Sequence, residues 1–411
     1  MSGRKNRDGS PRFRPASLDA LNFLLSDVRG ALGPYLNVFL VTQQQWNQSE
    51  VGLVTALSGW LGLAVQTPVG GAIDSTRRKR AAIVFALAML AAGALYIYAA
   101  PRFWPVLVAN SLIVVVGDVF GPAVAALTLG LVRQQELARR MGRNSAFDHA
   151  GNVAIAALAG TVGWMFSQRA VFLLVPVFAA LATAAVLSIP SAAIDERRAR
   201  GAGEVQEGEE TNEVASMRVL LECRPLIIFG CCALLFHFAN APLLPLVGQK
   251  LAFAHKQEAT AMMSSCIIAA QLVMLPIAIL VGRKADTWGR KPILLIGFGI
   301  LPIRAVLYTL SNDSAWLIGV QLLDGVGAGI FGALTPLVVA DLMRGTGRYN
   351  LAQGAVATMQ GIGASTSGLI IGLIVDYCGY SMAFLTSGAA AAVALAVLVF
   401  AMPETAPERV A

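Results

Sequence analysis

Twelve apolar stretches, each long enough to cross a bilayer, recur along the chain at approximately 18–42, 51–73, 81–100, 104–132, 144–167, 170–189, 225–249, 259–281, 292–311, 315–341, 351–375 and 379–402. At 1.5 Å of rise per residue, about 20 helical residues cover a hydrocarbon core of about 30 Å. No water reaches that core, so every backbone N–H and C=O must be satisfied within the segment or by a neighbouring strand. Barrel strands would be about ten residues long and alternating, so segments of this length and composition are helices. The composition agrees: 56% of the 411 residues are hydrophobic and 13% charged, with a mean hydropathy of +0.66, against about 25% charged in an ordinary globular domain. The expected fold class is all-α, a polytopic membrane protein.

The formal net charge of +7 acquires meaning once each cation is assigned to a side of the membrane. With the N-terminus placed inside, 25 Lys and Arg fall on the inner side and only Arg102, Arg169, Lys250 and Lys256 on the outer. The positive-inside rule therefore puts both termini in the cytoplasm, and the expected location is the plasma membrane, the inner membrane if the cell is Gram-negative. The run Arg77 to Arg80 behind the second span is part of this topological bias, and no nucleic-acid partner is implied. The first apolar segment carries Asp27 and Arg29 and exceeds the 7–15 residues of a signal h-region, so it is expected to remain as the first span. The five cysteines, Cys223, Cys231, Cys232, Cys266 and Cys378, form no CxxC pair and read as small buried hydrophobes; no metal site or disulfide framework is expected.

One long hydrophilic segment of mixed charge separates the sixth and seventh spans. The expected organisation is a cytoplasmic tail (1–17), a six-helix bundle (18–189), a flexible cytoplasmic linker (190–224), a second six-helix bundle (225–402) and a cytoplasmic tail (403–411). The bundles repeat one another. "GGAID" places Gly70 four residues before Asp74, and "GRKAD" places Gly282 four before Asp286; Pro34 matches Pro242; "ALT" at Ala126 matches "ALT" at Ala333; and Asn144 matches Asn350. Four matches at nearly constant offset indicate an internal duplication into pseudo-symmetric halves.

Twelve spans in two six-helix repeats, termini inside, and a GxxxD element with following Gly and cations after the second and eighth spans resemble the major facilitator superfamily over the whole chain. The second copy, Gly282, Asp286, Gly289, Arg290 and Lys291, matches the family's loop motif well, lacking only the usual basic residue at Thr287. The first departs, with Ser75 where a cation is usual and Arg77 where glycine is usual. A carboxylate near a helix end can pair with cations or with the positive end of a neighbouring helix. Gly70, Asp74, Arg78, Gly282, Asp286, Gly289 and Arg290 are therefore the candidate cytoplasmic gate.

Five charges fall well inside spans: Asp27, Arg29, Asp118, Arg304 and Asp324. Insertion scales put each at about 2.5–3.5 kcal/mol near a helix centre, so they must be paired or wetted. At 100° per residue Asn22, Ser26, Arg29, Gly33 and Asn37 share one face of the first span, while Asp27 lies about 160° from Arg29. In the repeat alignment Arg29 corresponds to His237, which shares a face with Asn240. Spans 1, 4, 7 and 10 line the cavity in the resembled family, so Asp118 and Asp324 read with Asp27 as proton-coupling carboxylates. Arg29, Asn37, His237, Asn240 and Gln360 read as substrate-binding, with Gln66, Gln271 and Gln353 as further hydrogen-bonding candidates. A structural bridge between Arg304 and Asp324 is the competing explanation for that pair. Pro34 and Pro242 are the candidate outer gate.

"GAGIFG" at Gly327 to Gly332 matches GxGxxG but lies in an apolar helix, where close helix packing explains it. There is no GxxxxGK(S/T), HExxH or GxSxG, and no catalytic, metal or cofactor site is expected. The leading function is secondary active transport of a small molecule by alternating access, coupled to protons, with the substrate between the two bundles; an ion-independent facilitator is the alternative, and a transporter-like membrane receptor is the third. A cation at Arg29 with His237 favours an anionic or zwitterionic substrate. Asp118 stands in the fourth span, where the family's drug/proton antiporters carry arginine, and the fifth span lacks their glycine-proline motif; both weaken a multidrug-efflux reading. A monomer in the lipid bilayer is expected.

Overall fold

A computed structural model describes residues 15–26, 33–76, 78–132, 134–195, 199, 218–344, 346 and 348–406. Every regular element among them is helical: α1 (Pro15–Leu25), α2 (Gly33–Thr42), α3 (Gln48–Ser75), α4 (Lys79–Ala99), α5 (Phe103–Leu131), α6 (Gln134–Met165), α7 (Leu174–Leu187), α8 (Arg218–Glu222), α9 (Arg224–Asn240), α10 (Leu243–Ala254), α11 (Ala259–Trp288), α12 (Arg290–Leu310), α13 (Ser314–Leu342) and α14 (Tyr349–Ala401), with short 3-10 turns at Gln168–Leu173 and Ser191–Ala193. Nine helical stretches among the described residues are long and apolar enough to span a membrane.

The protein is an all-α polytopic membrane protein; the nine stretches account for ten of the twelve expected spans, and α1 with α2 and α6 stand at the other two. α14 is two spans joined at Gly379, whose φ of 83° and ψ of 172° lie in a region open essentially to glycine. The seventh span divides into α9 and α10 around Pro242, a residue without an N–H to donate and with a fixed φ. The sixth begins with the 3-10 turn before α7. α6 carries Arg139, Arg140 and Arg143 in its first half, which lowers its mean hydropathy. The first span comprises α1 and α2, and Asp27 and Arg29 between them lie outside the described residues.

The chain divides into two compact units: Met1–Leu36 with Leu61–Glu209, and Asn37–Trp60 with Glu210–Ala411. In the first, α4 packs on α5 and α7, and α1 on α6 and α7. Its buried polar centre joins α1 to α6. Asp19 receives Arg140 at 2.8 Å and Arg143 at 2.7 Å, while Asn144 accepts from Arg140 Nε at 2.9 Å and donates to Thr128 at 3.0 Å. Thr128 and Asn144 are two of the residues that mark the repeat.

In the second unit α9 packs on α14, α11 on α13, and α12 on both α13 and α14, around a core that includes Phe229, Phe298, Phe331 and Phe384. Gly325 and Gly329 lie against the α11 backbone. A Cβ on Gly329 would stand 2.9 Å from the Met274 carbonyl oxygen, and one on Gly325 would collide with that of Ala270. Gly325 and Gly329 thus form a packing surface, whereas Gly332, the last glycine of the GxGxxG run, meets nothing within 4 Å.

Outward-facing positions are apolar: Phe400, Tyr377, Phe166 and Trp104 are among the large side chains left exposed, the surface expected of helices solvated by lipid. Cys232 and Cys266 are buried, whereas Cys231 and Cys378 are exposed. That corrects the expectation of uniformly buried thiols, since a thiol is apolar enough to face lipid.

Candidate functional site

The second unit encloses a cavity of about 350 Å³ between α9, α13 and α14, lined by Phe236, His237, Asn240, Phe331, Thr335, Gln353 and Gln360 among others. Three of the predicted binding residues, His237, Asn240 and Gln360, come together here with Gln353. Asn37 does not. It lines a separate and smaller cavity of about 80 Å³ beside Gln48, Thr55 and Gln249.

The aromatic wall carried no polar signal in the sequence and was not singled out there. Phe331 stacks on Phe236 at 4.8 Å with ring planes 8° apart and meets His237 edge-on at 5.0 Å. Phe331 belongs to the GAGIFG run, where the glycines drew attention instead.

Behind this wall lies a buried polar cluster. Arg304, 1% exposed, projects from α12 to pair with Asp324 of α13. It also donates through Nη2 to Asn240 Oδ1 of α9 at 2.8 Å. Gln321 donates to the other Asp324 oxygen at 2.9 Å and accepts from the Tyr308 hydroxyl. Arg304 and Asp324 thus neutralise one another. Removing either partner would leave a buried charge alone, at a cost of about 3–5 kcal/mol.

Asp118, the matching acid of the first unit, is in a different situation. It lies half-buried in α5 opposite Gly62 of α3, where a Cβ would stand 3.7 Å from Asp118 Oδ2. That oxygen is itself buried and has no hydrogen-bond partner. α4 bears cations only in its first turn, Lys79 and Arg80, so among the described residues nothing equivalent to Arg304 reaches Asp118.

The loop motif is built differently in its two copies. In the second, Gly289 turns the chain with a φ of 86°, and Arg290 bridges Asp286 at 2.7 Å and Asp341 at 3.0 Å. The Arg290 and Lys291 backbone N–H groups donate to Glu404 at 2.9 and 3.1 Å. Burial alone would push the Glu404 carboxyl up, and four backbone N–H donors hold it below its ordinary value.

In the first copy Asp74 falls in the last turn of α3, its side chain outside the described ones, and Arg77 lies outside the described residues. Arg78 is exposed, its N–H donating to Thr76 Oγ1 at 3.1 Å. The buried cation is Lys79, which reaches the Thr76 carbonyl at 2.9 Å. Gly70 and Gly282 face open space, so neither is required by packing within the chain.

One feature had no sequence signal. Asp376 of α14 caps the start of α3, accepting from Gln48 N–H at 3.0 Å and Ser49 N–H at 2.7 Å. Gln48 Nε2 donates to Gln249 at 2.8 Å and to the Tyr380 hydroxyl at 3.0 Å. Below this cap, Gly52 and Gly368 meet backbone to backbone.

Comparison with known proteins places the fold. A sequence model described as Major Facilitator Superfamily matches residues 18–301 and 259–411. An uncharacterized MFS-type transporter of Mycobacterium tuberculosis is 47% identical over 395 residues, covering 96% of this chain and 94% of its own. Among solved structures, the nucleoside transporter NupG superposes with a TM-score of 0.74 at 12% identity, over 94% of this chain and 98% of that one. A D-xylose-proton symporter does so at 0.71 and 14%, over 95% and 97%.

Proposed function

This chain belongs to the major facilitator superfamily and is a multi-pass membrane transporter of a small molecule, and we propose that it works by alternating access with a proton as the coupling ion. The observation that carries the proton is Asp118. An ionised carboxylate in a low-dielectric interior needs donors or a counter-charge. Among the described residues Asp118 Oδ2 is buried with neither, whereas Asp324 has both. Taking up a proton removes the unpaired charge, and releasing it requires that water or a donor reach the site, so protonation is tied to which way the site opens. Asp118 is the proton carrier in this reading and Asp324 a structural partner of Arg304. Asp27 keeps its sequence-based candidacy.

Alternating access is supported by reversible contacts of two kinds. The Asp376 cap on α3, with the Gln48, Gln249 and Tyr380 hydrogen bonds, is polar and carried by few side chains, so it can break and re-form. We assign it to the outer gate, to which the break at Pro242 also belongs. The Arg290, Asp286 and Asp341 cluster is the inner counterpart, with both termini cytoplasmic and the plasma membrane as location on the strength of the cation bias. The substrate contacts are the residues of the cavity at His237, Asn240 and Gln360.

The test is transport into proteoliposomes under an imposed pH gradient, comparing wild type with Asp118→Asn. Gradient-driven accumulation is expected to be lost while exchange of labelled for unlabelled substrate continues. Undiminished accumulation in the variant would remove the proton from Asp118 and leave the ion-independent facilitator as the better reading.

A further inference from the structure

The cavity in the second unit carries more chemical information than its position. No described residue lining it is charged, and the cation just behind it, Arg304, is already matched by Asp324. Arg304 fixes the orientation of Asn240. Because Asn240 Oδ1 accepts from Arg304 Nη2 at 2.8 Å, its Nδ2 end is the free one, a donor. His237 is fixed in the same manner. Its Nδ1 lies 3.0 Å from the Ala233 carbonyl oxygen, a partner that only accepts, so the neutral ring carries its proton on Nδ1 and leaves Nε2 as an acceptor. Gln353 Oε1 is buried with no hydrogen-bond partner, an acceptor whose burial is costly until a donor meets it. Phe331 and Phe236 add an apolar aromatic wall, and a volume of about 350 Å³ falls in the range of small-ligand sites.

An anion fits this site poorly: its described lining carries no free cation, and Gln353 Oε1 and His237 Nε2 are acceptors that would repel it. We propose that the cavity takes an uncharged, flat heterocycle bearing an amide or lactam edge, its ring against Phe331, its carbonyl toward Asn240 Nδ2 and its N–H groups toward Gln353 Oε1 and His237 Nε2. This deepens the transporter reading and rests on it. Such a substrate differs from the anion that Arg29 and His237 suggested in the sequence, Arg29 lying outside the described residues.

The experiment uses purified full-length protein and matched pairs of probes that share a ring and differ in charge, nicotinamide against nicotinate and uracil against orotate, with binding read by titration calorimetry. At least one neutral member is expected to bind tenfold or more tightly than its carboxylate partner. Asn240→Leu and Gln353→Met, on different helices, are each expected to weaken that binding about tenfold, the usual effect of deleting a buried hydrogen-bond partner. The inference is overturned if the carboxylates bind as well as the neutral probes, if no probe binds, or if correctly folded Asn240→Leu and Gln353→Met both retain wild-type affinity.

Counterflow in proteoliposomes separates this from the reading on which it rests. Exchange of carboxylates and not of neutral probes would leave the transporter intact and sink the substrate class. Neutral-probe binding with the stated variant dependence but no exchange would uphold the cavity assignment and count against its use in transport.

Discussion

The hairpin of α4 and α5 and the hairpin of α12 and α13 are matching parts of a duplicated chain, and each carries one aspartate well inside its second helix, Asp118 and Asp324. They differ in a single partner. In α12 an arginine at position 304 crosses to Asp324 and onward to Asn240; in α4 the only cations, Lys79 and Arg80, stand in the first turn, and Asp118 keeps a buried oxygen without a partner. Duplication supplied two equivalent acids. One is part of a buried network behind a cavity, and the other is the proton carrier in the proposed mechanism.

The largest expected effect is on stability, and it tests whether the two acids really differ. Asp324→Ala strands Arg304 in the interior and should cost about 3–5 kcal/mol, seen as a large fall in the thermal unfolding midpoint in detergent. The double change Arg304→Met with Asp324→Leu should recover most of it. Asp118→Asn in the same measurement should leave the midpoint unchanged or raised, because it removes an unpaired carboxylate. Equal losses from Asp324→Ala and Asp118→Asn would break the comparison.

Transport inverts the ranking. Asp118→Asn should reduce pH-gradient-driven accumulation at least tenfold, whereas the Arg304→Met, Asp324→Leu protein should still respond to the gradient with weakened substrate affinity, since Asn240 is no longer oriented. A double variant that loses its pH response would transfer the proton to the second hairpin.

Helix starts sharpen the comparison with smaller effects. α3 is capped by Asp376, while α11, its repeat partner, has no side-chain cap at its N-cap residue, Glu258. Loss of an N-terminal cap is worth roughly 0.5–2 kcal/mol, so Asp376→Ala should speed hydrogen exchange at the Gln48 and Ser49 amides by about 2- to 30-fold. Unchanged exchange there would deny the cap its role.

The smallest effect concerns α12, whose first N–H groups are held by Glu404, while α4 has no side-chain cap. Burial raises the Glu404 carboxyl and its backbone donors outweigh that, so the folded group titrates below the unfolded one. Its contribution is therefore present above the ordinary glutamate range and lost as pH falls through the folded value. Glu404→Gln should flatten the acid limb of the stability profile and leave transport at neutral pH unchanged.

Much of the architecture was legible in the sequence, because a membrane imposes its demands one segment at a time. Length, apolarity and the bias of cations decide where each span lies and how it is oriented without reference to any other span, and near-constant offsets revealed the duplication. His237, Asn240 and Gln360 were also legible, being polar groups in apolar helices. Phe331 and Asp376 were not, since an aromatic in an apolar helix and an acid near a helix end carry no local mark of their partners.

The sequence by itself therefore determined that this is a helical, duplicated membrane protein with five intramembrane charges that had to be matched or wetted. Only the tertiary structure decided which of them are matched. Arg304 and Asp324 are 20 residues apart and Gln48 and Asp376 are 328 apart. Such pairs depend on how each helix is rotated about its axis and which neighbour it packs against, and these are set by the fit of many side chains together, which no local pattern records.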